Sequence, residues 1–183
     1  SYTPGGTATY TVVVTNSAGS VTSAIATLTV TLPSTNSFTG VLAGWDVSGQ
    51  SSYGVSPLAP TTNVANITVS NLTRGAGIAV AGTAAARTWG GNGLNTASAA
   101  TAISANDLAM FGVTANSGYQ ISLASINRLD YKKSSAGPVS GTLQYQIGSS
   151  GFNDVTNLSF SSTSGASLGP IDLSSIAALQ NVG

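Results

Sequence analysis

The sequence predicts an all-β protein: an antiparallel, jelly-roll-like β-sandwich with one short C-terminal helix, entered through an N-terminal β-hairpin. Three observations carry this reading. Apolar residues alternate with Thr, Ser, Ala and Asn over short segments, the period of a half-buried strand. Clusters of Gly, Pro, Asn and Ser punctuate those segments with turn chemistry. The chain is also hydrophobic enough to fill a core, at 42% with a mean hydropathy of +0.25, and lacks the composition of a disordered segment.

The hairpin comes first. Residues 10–16 alternate, with Tyr10, Val12 and Val14 on one face and Thr11, Val13 and Thr15 on the other. Residues 16–20 supply a turn in which Gly19 suits a positive φ. Residues 21–31 return as the second strand, with Ala24, Ala26, Leu28 and Val30 on one face. Ile25 falls on the opposite face, which predicts a bulge or a two-sided environment there. Residues 33–37 read as a linker, since Pro33 blocks strand continuation and the polar run has no period.

The larger unit, residues 38–183, carries strand candidates at 41–47, 65–70, 77–80, 108–114, 119–131, 141–147 and 155–160. Residues 116–118, 136–138 and 149–151 mark turns between them. Residues 82–106 are rich in Ala, Thr, Gly and Asn without a clear period, and read as a long loop of the kind that often carries function. A helix is expected near the C-terminus. Asp172 serves as its N-cap, Ile171 and Ile176 as a hydrophobic staple, and Leu173, Ile176 and Leu179 as one face. Gly183 would end it.

Charge narrows the chemistry sharply. Only ten of 183 residues are charged, five Asp against five Lys or Arg, and His, Cys and Glu are absent. Soluble domains carry about 25% charged residues; this chain carries 5%. Neither a Ser-His-Asp nor a Cys-His arrangement can be built, nor a zinc site using His or Cys. Zero net charge gives no field to attract nucleic acid, so no such partner is expected. No apolar run approaches the roughly 20 residues that span a bilayer, and no signal-peptide pattern opens the sequence. The Ser, Thr, Asn and Gly surface points to an extracellular or cell-surface setting.

Two resemblances sharpen the picture. Tyr10-x-Val12-x-Val14-x-Asn16-x-x-Gly19, followed by Ala26-Thr27-Leu28-Thr29-Val30, resembles the last two strands of a bacterial immunoglobulin-like domain. The resemblance places Tyr10 at the tyrosine corner and Val12 where antibody domains carry a disulfide cysteine. It implies that residues 1–32 are the closing hairpin of a module. From Val41 onward the chain is similar to a secreted β-sandwich module of PEP-CTERM-type and autotransporter-like bacterial surface proteins. The similarity rests on Leu42-Ala43-Gly44-Trp45-Asp46, Leu58-Ala59-Pro60-Thr61-Thr62, Leu72-Thr73-Arg74-Gly75, Trp89-Gly90-Gly91-Asn92-Gly93 and Ile171-Asp172-Leu173-Ser174-Ser175-Ile176. It implies surface display without a shared catalytic site, and a sandwich that continues into a further strand past Val182.

Candidate sites are few. Paired carboxylates are the remaining acid–base chemistry, and nothing in the spacing of the five aspartates selects a pair. Calcium needs only oxygen ligands, and Asp46 with Ser48, and Asn153 with Asp154, are the residues able to supply them. No other cofactor is expected. Trp89, flanked by Gly90, Gly91 and Gly93, is the best stacking platform for a sugar, with Tyr53 second and Asn92 available to orient a hydroxyl. The competing reading folds Trp89 back as a cap on the sandwich, given the area a tryptophan buries. Arg128, Asp130 and Lys132 recur at period two and should form a solvated row that discourages edge pairing, with Lys133 facing the other way. Three Asn-x-Ser/Thr sequences, at Asn66, Asn71 and Asn157, matter only in a secreting eukaryote.

These readings converge on a non-catalytic structural or adhesive module of a large bacterial surface protein. Its partners would be an extracellular glycan or protein, or other copies of itself. A carbohydrate-binding module of a polysaccharide-degrading protein is the competing class, and a filament or matrix subunit built by strand addition is the third.

Overall fold

The computed structural model describes residues 7–17, 19–29, 37–82, 84, 87–94 and 96–183, and the chain divides into two compact units, Ser1–Gly40 and Val41–Gly183. The described residues are mostly strand, with a single short α-helix, so the fold is all-β.

Unit 1 is a hairpin in two ladders. β1 (Thr7–Tyr10) pairs antiparallel with β4 (Ala26–Thr29), and β2 (Val13–Asn16) with β3 (Gly19–Thr22). Val13 faces Thr22 while Tyr10 faces Ala26, so the return strand holds one residue more than the outgoing strand between these pairs. That is the bulge expected around Ile25. Ser23 supports it: its N–H donates to the Val12 carbonyl (2.8 Å), and its Oγ accepts the Val12 N–H (3.0 Å). A hydroxyl thereby does the work of the ladder carbonyl that the bulge displaces. Gly19, at φ +141°, closes the turn as the sequence required. Val30 and the linker 33–37, except Ser37, lie outside the described residues.

Unit 2 contains two sets of antiparallel ladders, the second of them nested. In the first, β5 (Ala43–Gly44) pairs with β6 (Thr62–Asn63), and β7 (Ile67–Val69) with β10 (Val113–Ala115). Inside that pair, β8 (Thr73–Arg74) meets β9 (Ala109–Met110). Single bridges join Leu58 to Leu72 and Ala79 to Asn92. In the second set, an Ile121–Val182 bridge lies outermost. Next come β11 (Ser125–Ile126) with β16 (Ile171–Asp172), and β12 (Leu129–Tyr131) with β15 (Ala166–Leu168), in one shared register. Innermost is the longest ladder, β13 (Ser140–Tyr145) with β14 (Asn153–Ser159), bulged next to Leu143 and Gln144.

The core is thin. Leu58, Ile78, Ile121, Leu173 and Leu179 are its buried hydrophobic residues, at 5–7% exposure. They come from both ladder sets. Two aromatic pairs extend it, Tyr131 against Phe160 and Trp45 against Phe111, with centroids 5.0 and 4.7 Å apart.

Several expectations need correction. The candidate strand 77–80 contributes only the Ala79 bridge, and 119–131 is broken into a bridge and two short strands. The C-terminal helix does not form. Ile171 and Asp172 pair with Ile126 and Ser125, which commits their backbone to a ladder and removes the first helical turn. What remains is a 3₁₀ turn, Ala177–Leu179. Asp172 does cap, but it caps a turn: its Oδ1 accepts from the Ser174 N–H (2.8 Å) and Oγ (2.7 Å). The α-helix, α1 (Ala99–Ala105), lies instead inside the stretch read as a loop. Ser98 Oγ caps it by accepting from Thr101 N–H (3.1 Å), and Asn106 ends it at φ +57°.

Candidate functional site

The aromatic cluster around Trp89 is assembled from three places in unit 2. The 50–56 loop turns tightly, with Ser52, Tyr53 and Gly54 at φ +49°, +73° and +72°. Gly54 N–H donates to the Ser51 carbonyl (2.9 Å), and Val55 N–H to Gln50 Oε1 (3.0 Å). Ser52 and Tyr53 carry a Cβ into this left-handed region at a steric cost that Gly54 escapes, so the loop must be held by its surroundings. What holds it is a set of donors on its carbonyls. Arg74, from β8, donates through Nη2 to the carbonyls of Tyr53 (2.9 Å) and Gly54, and its own N–H donates to Ser56 Oγ (2.9 Å). Trp89 donates its indole N–H to the Val55 carbonyl (2.7 Å), and the Gly90 N–H donates to the Tyr53 carbonyl (3.0 Å).

The Arg74 guanidinium lies over the Trp89 ring, 5.0 Å from its centroid, in cation–π geometry. Both residues are half-buried. Among the described residues the one ion pair is Arg128–Asp130, so Arg74 has no acidic partner. Burial lowers its pKa from the ordinary arginine value, yet arginine stays protonated throughout the range where proteins fold. Its charge is balanced by two carbonyls and an indole face. The Arg74 Nε atom is buried with no partner among the described residues.

The predicted sugar-platform residues are therefore brought together in part, and are engaged by the fold itself. Trp89 and Tyr53 meet through the 53–55 carbonyls, and Tyr53 Oη donates to the Ala81 carbonyl (3.0 Å). Asn92 exchanges backbone hydrogen bonds with Ala79 (2.7 and 3.1 Å) and keeps an exposed side chain. Trp89 is half-buried, with its indole N–H on the Val55 carbonyl.

The calcium candidates are engaged locally as well. Asp46 Oδ1 accepts from the Ser48 N–H (2.8 Å) and Oδ2 from Ser48 Oγ (3.0 Å); these bonds hold its carboxyl below the usual range. Asp154 Oδ1 accepts from Gln144 Nε2 (2.7 Å) across the β13–β14 ladder, and Asn153 Nδ2 donates to the Gly151 carbonyl (3.1 Å). Among the described residues no three acidic side chains gather into a metal-holding group.

No protein-family model, curated protein or solved structure matches this chain.

Two features escaped the sequence reading. Arg74 entered only within Leu72-Thr73-Arg74-Gly75, and an arginine between a threonine and a glycine gives no sign that it will lie across a tryptophan. The second is a groove of about 410 Å³ lined by Pro57, Ser70, Asn71, Thr73, Met110 and Phe111, along with Gly112. Phe111 is 50% exposed there while its ring meets Trp45 at a tilt of 52°, and the buried Trp45 indole N–H has no partner among the described residues. Trp45 is half-buried and its neighbour Asp46 exposed, as successive residues of a strand point to opposite faces. The charged row behaves as a solvated face: Arg128 Nε meets Asp130 Oδ1 at 2.7 Å with both side chains more than half exposed, and Lys133 is half-buried. Exposed pairs of this kind contribute little. No described helix is long and apolar enough to cross a membrane.

Proposed function

We propose that the chain is a non-catalytic structural or adhesive module of a large bacterial surface protein. The two ladder sets of unit 2 would form the faces of a jelly-roll-like sandwich, and the hairpin of unit 1 would close an immunoglobulin-like neighbour. The observation that carries the reading is the use made of the aspartates. Asp46 and Asp172 tie their own turns through Ser48 and Ser174, Asp130 binds Arg128 and Ser167, and Asp154 binds Gln144. The hydrogen bonds on Asp46, Asp130 and Asp172 lower their pKa values. A general acid near neutral pH needs the opposite shift. Asp107 packs against Gly77, where a Cβ would collide with its carboxylate.

The test is incubation with a panel of polysaccharides, reading both retention on the polymer and release of reducing ends. Turnover would overturn the proposal. Retention without turnover would move it to the second reading, a carbohydrate-binding module. That reading is favoured by the exposed Phe111 ring beside Asn71 in an uncharged groove, a flat surface with a neutral amide at its rim. Binding that survives Trp89→Ala and disappears in Phe111→Ala would locate the sugar there.

A further inference from the structure

We infer that the chain associates head to tail, the unit 1 hairpin of one copy adding a strand to the β14 edge of the next. The inference deepens the structural reading above by naming the partner, and rests on it only in that sense.

The acceptor is the outer edge of β14. Phe160 N–H donates to the Val139 carbonyl (2.7 Å), which fixes the phase of the β13–β14 ladder. Leu158 and Thr156 then turn their backbone groups toward β13, and Asn157 and Ser159 turn theirs away. These residues line an open groove of about 450 Å³, with residues 155–159 on one bank and 168–172 on the other. Leu168, Ile171 and Asp172 are already paired on their far side, with Leu129, Ile126 and Ser125. No backbone hydrogen bond crosses the groove between these described segments. Two paired ribbons thus flank a space with strand backbone exposed on at least one bank, the setting for β-augmentation. The one charge lining it, Asp172, already accepts two hydrogen bonds from Ser174. An uncharged strand suits such a groove.

The donor is on the same chain. Residues 1–45 contain no charged side chain. The hairpin exposes apolar side chains from both strands, Val13 at 57%, Val14 at 67% and Val21 at 74%. Among the described residues β2 and β3 pair only with each other. The Ser23–Val12 bond sets their phase, so Val13 and Thr15 on one strand, and Ser20 and Thr22 on the other, turn backbone groups outward. Natural edges are blunted by charge, proline or a covering element; these strands carry neither charge nor proline. The two surfaces differ, so the contact is heterologous and propagates into chains.

The test is sedimentation velocity over a roughly hundredfold range of concentration, with variants that remove outward amides. Ser159→Pro, with Asn157→Pro as a second version that also gives up the Thr142 Oγ1–Asn157 Oδ1 bond, deletes a donor on the acceptor edge and leaves the backbone bonds to β13 in place. Thr15→Pro with Thr22→Pro does the same on both hairpin edges. The wild type should grow beyond twice the monomer mass with concentration, and each variant alone should stay monomeric. An equimolar mixture of a groove variant and the hairpin variant should stop at a one-to-one dimer, because each retains the surface the other has lost. A wild type that stays monomeric throughout overturns the inference. So does a groove variant that associates like wild type, which would mean hairpin meets hairpin. Catalytic turnover in the polysaccharide assay would defeat the proposed function and leave this result untouched.

Discussion

Replacing Trp89 with alanine separates a folded-back tryptophan from a sugar platform, and the structure sets the size of the effect. The substitution deletes the indole N–H bond to the Val55 carbonyl, at 2.7 Å, worth about 1 kcal/mol. It removes the ring 5.0 Å from the Arg74 guanidinium, worth roughly 0.5–1 kcal/mol. A fully buried Trp→Ala change costs about 3–5 kcal/mol, and a half-buried ring about half of that. Because these terms overlap, we expect a loss of about 3 kcal/mol. At roughly 2–4 °C per kcal/mol for a unit of this size, the midpoint should fall by about 6–12 °C. Trp89→Phe keeps a ring under Arg74 and loses only the donor, so its drop should be about a third as large. The assay is thermal unfolding followed by circular dichroism, with denaturant titration as a check. A Trp89→Ala midpoint within about 2 °C of wild type would refute the reasoning. It would mean that Trp89 contributes little to the fold and is free to meet a ligand.

Other consequences are narrower. Gly54→Ala forces a side chain into φ +72° with its Cβ 2.9 Å from Trp89 Cδ1; a destabilisation of about 2 kcal/mol in urea titration is expected. The midpoint should be flat between about pH 5 and 7, since no histidine or cysteine is present to titrate there. Asp46, Asp130 and Asp172 have folded pKa values below their unfolded ones, so their contribution is present above about pH 4 and fades as pH falls through the folded values. A pH scan of the melting midpoint that declined near neutrality would contradict this. Added calcium should leave the midpoint unchanged, because both oxygens of Asp46 are occupied by Ser48; a rise of several degrees that EDTA reverses would restore the cation site.

What the sequence made legible was whatever depends on local chemistry. The alternation of residues 10–16, the turn at Gly19 and the extra residue around Ile25 all have local causes, and the hairpin register carries them. The helix was missed for a local reason too. Residues 99–105 contain one large apolar side chain, Ile103, so no amphipathic period appears, and only the Ser98 and Asn106 caps and the alanine run mark it. The C-terminal segment shows the opposite failure. Asp172, Leu173 and Leu179 fit a helix locally, but pairing with residues about fifty positions earlier took the backbone first. The Arg74–Trp89 contact belongs to that long-range class, because it depends on where β8 and the 53–55 carbonyls arrive. Sequence spacing does not encode such meetings.

The nesting of the ladders has a consequence for how unit 2 acquires its structure. In the second set only β13 and β14 are joined by a short connection. Leu129 must find Leu168, and Ser125 must find Asp172, across the whole intervening chain. Closing a long loop before any contact rewards it is the slow step in proteins of high contact order. Once the 140–159 hairpin has formed, each outer pair has a shorter effective loop to close, as a zipper does from its first teeth. Substitutions at Leu143 or Leu158 should therefore slow folding, whereas equal losses at Ile121 or Val182 should chiefly speed unfolding.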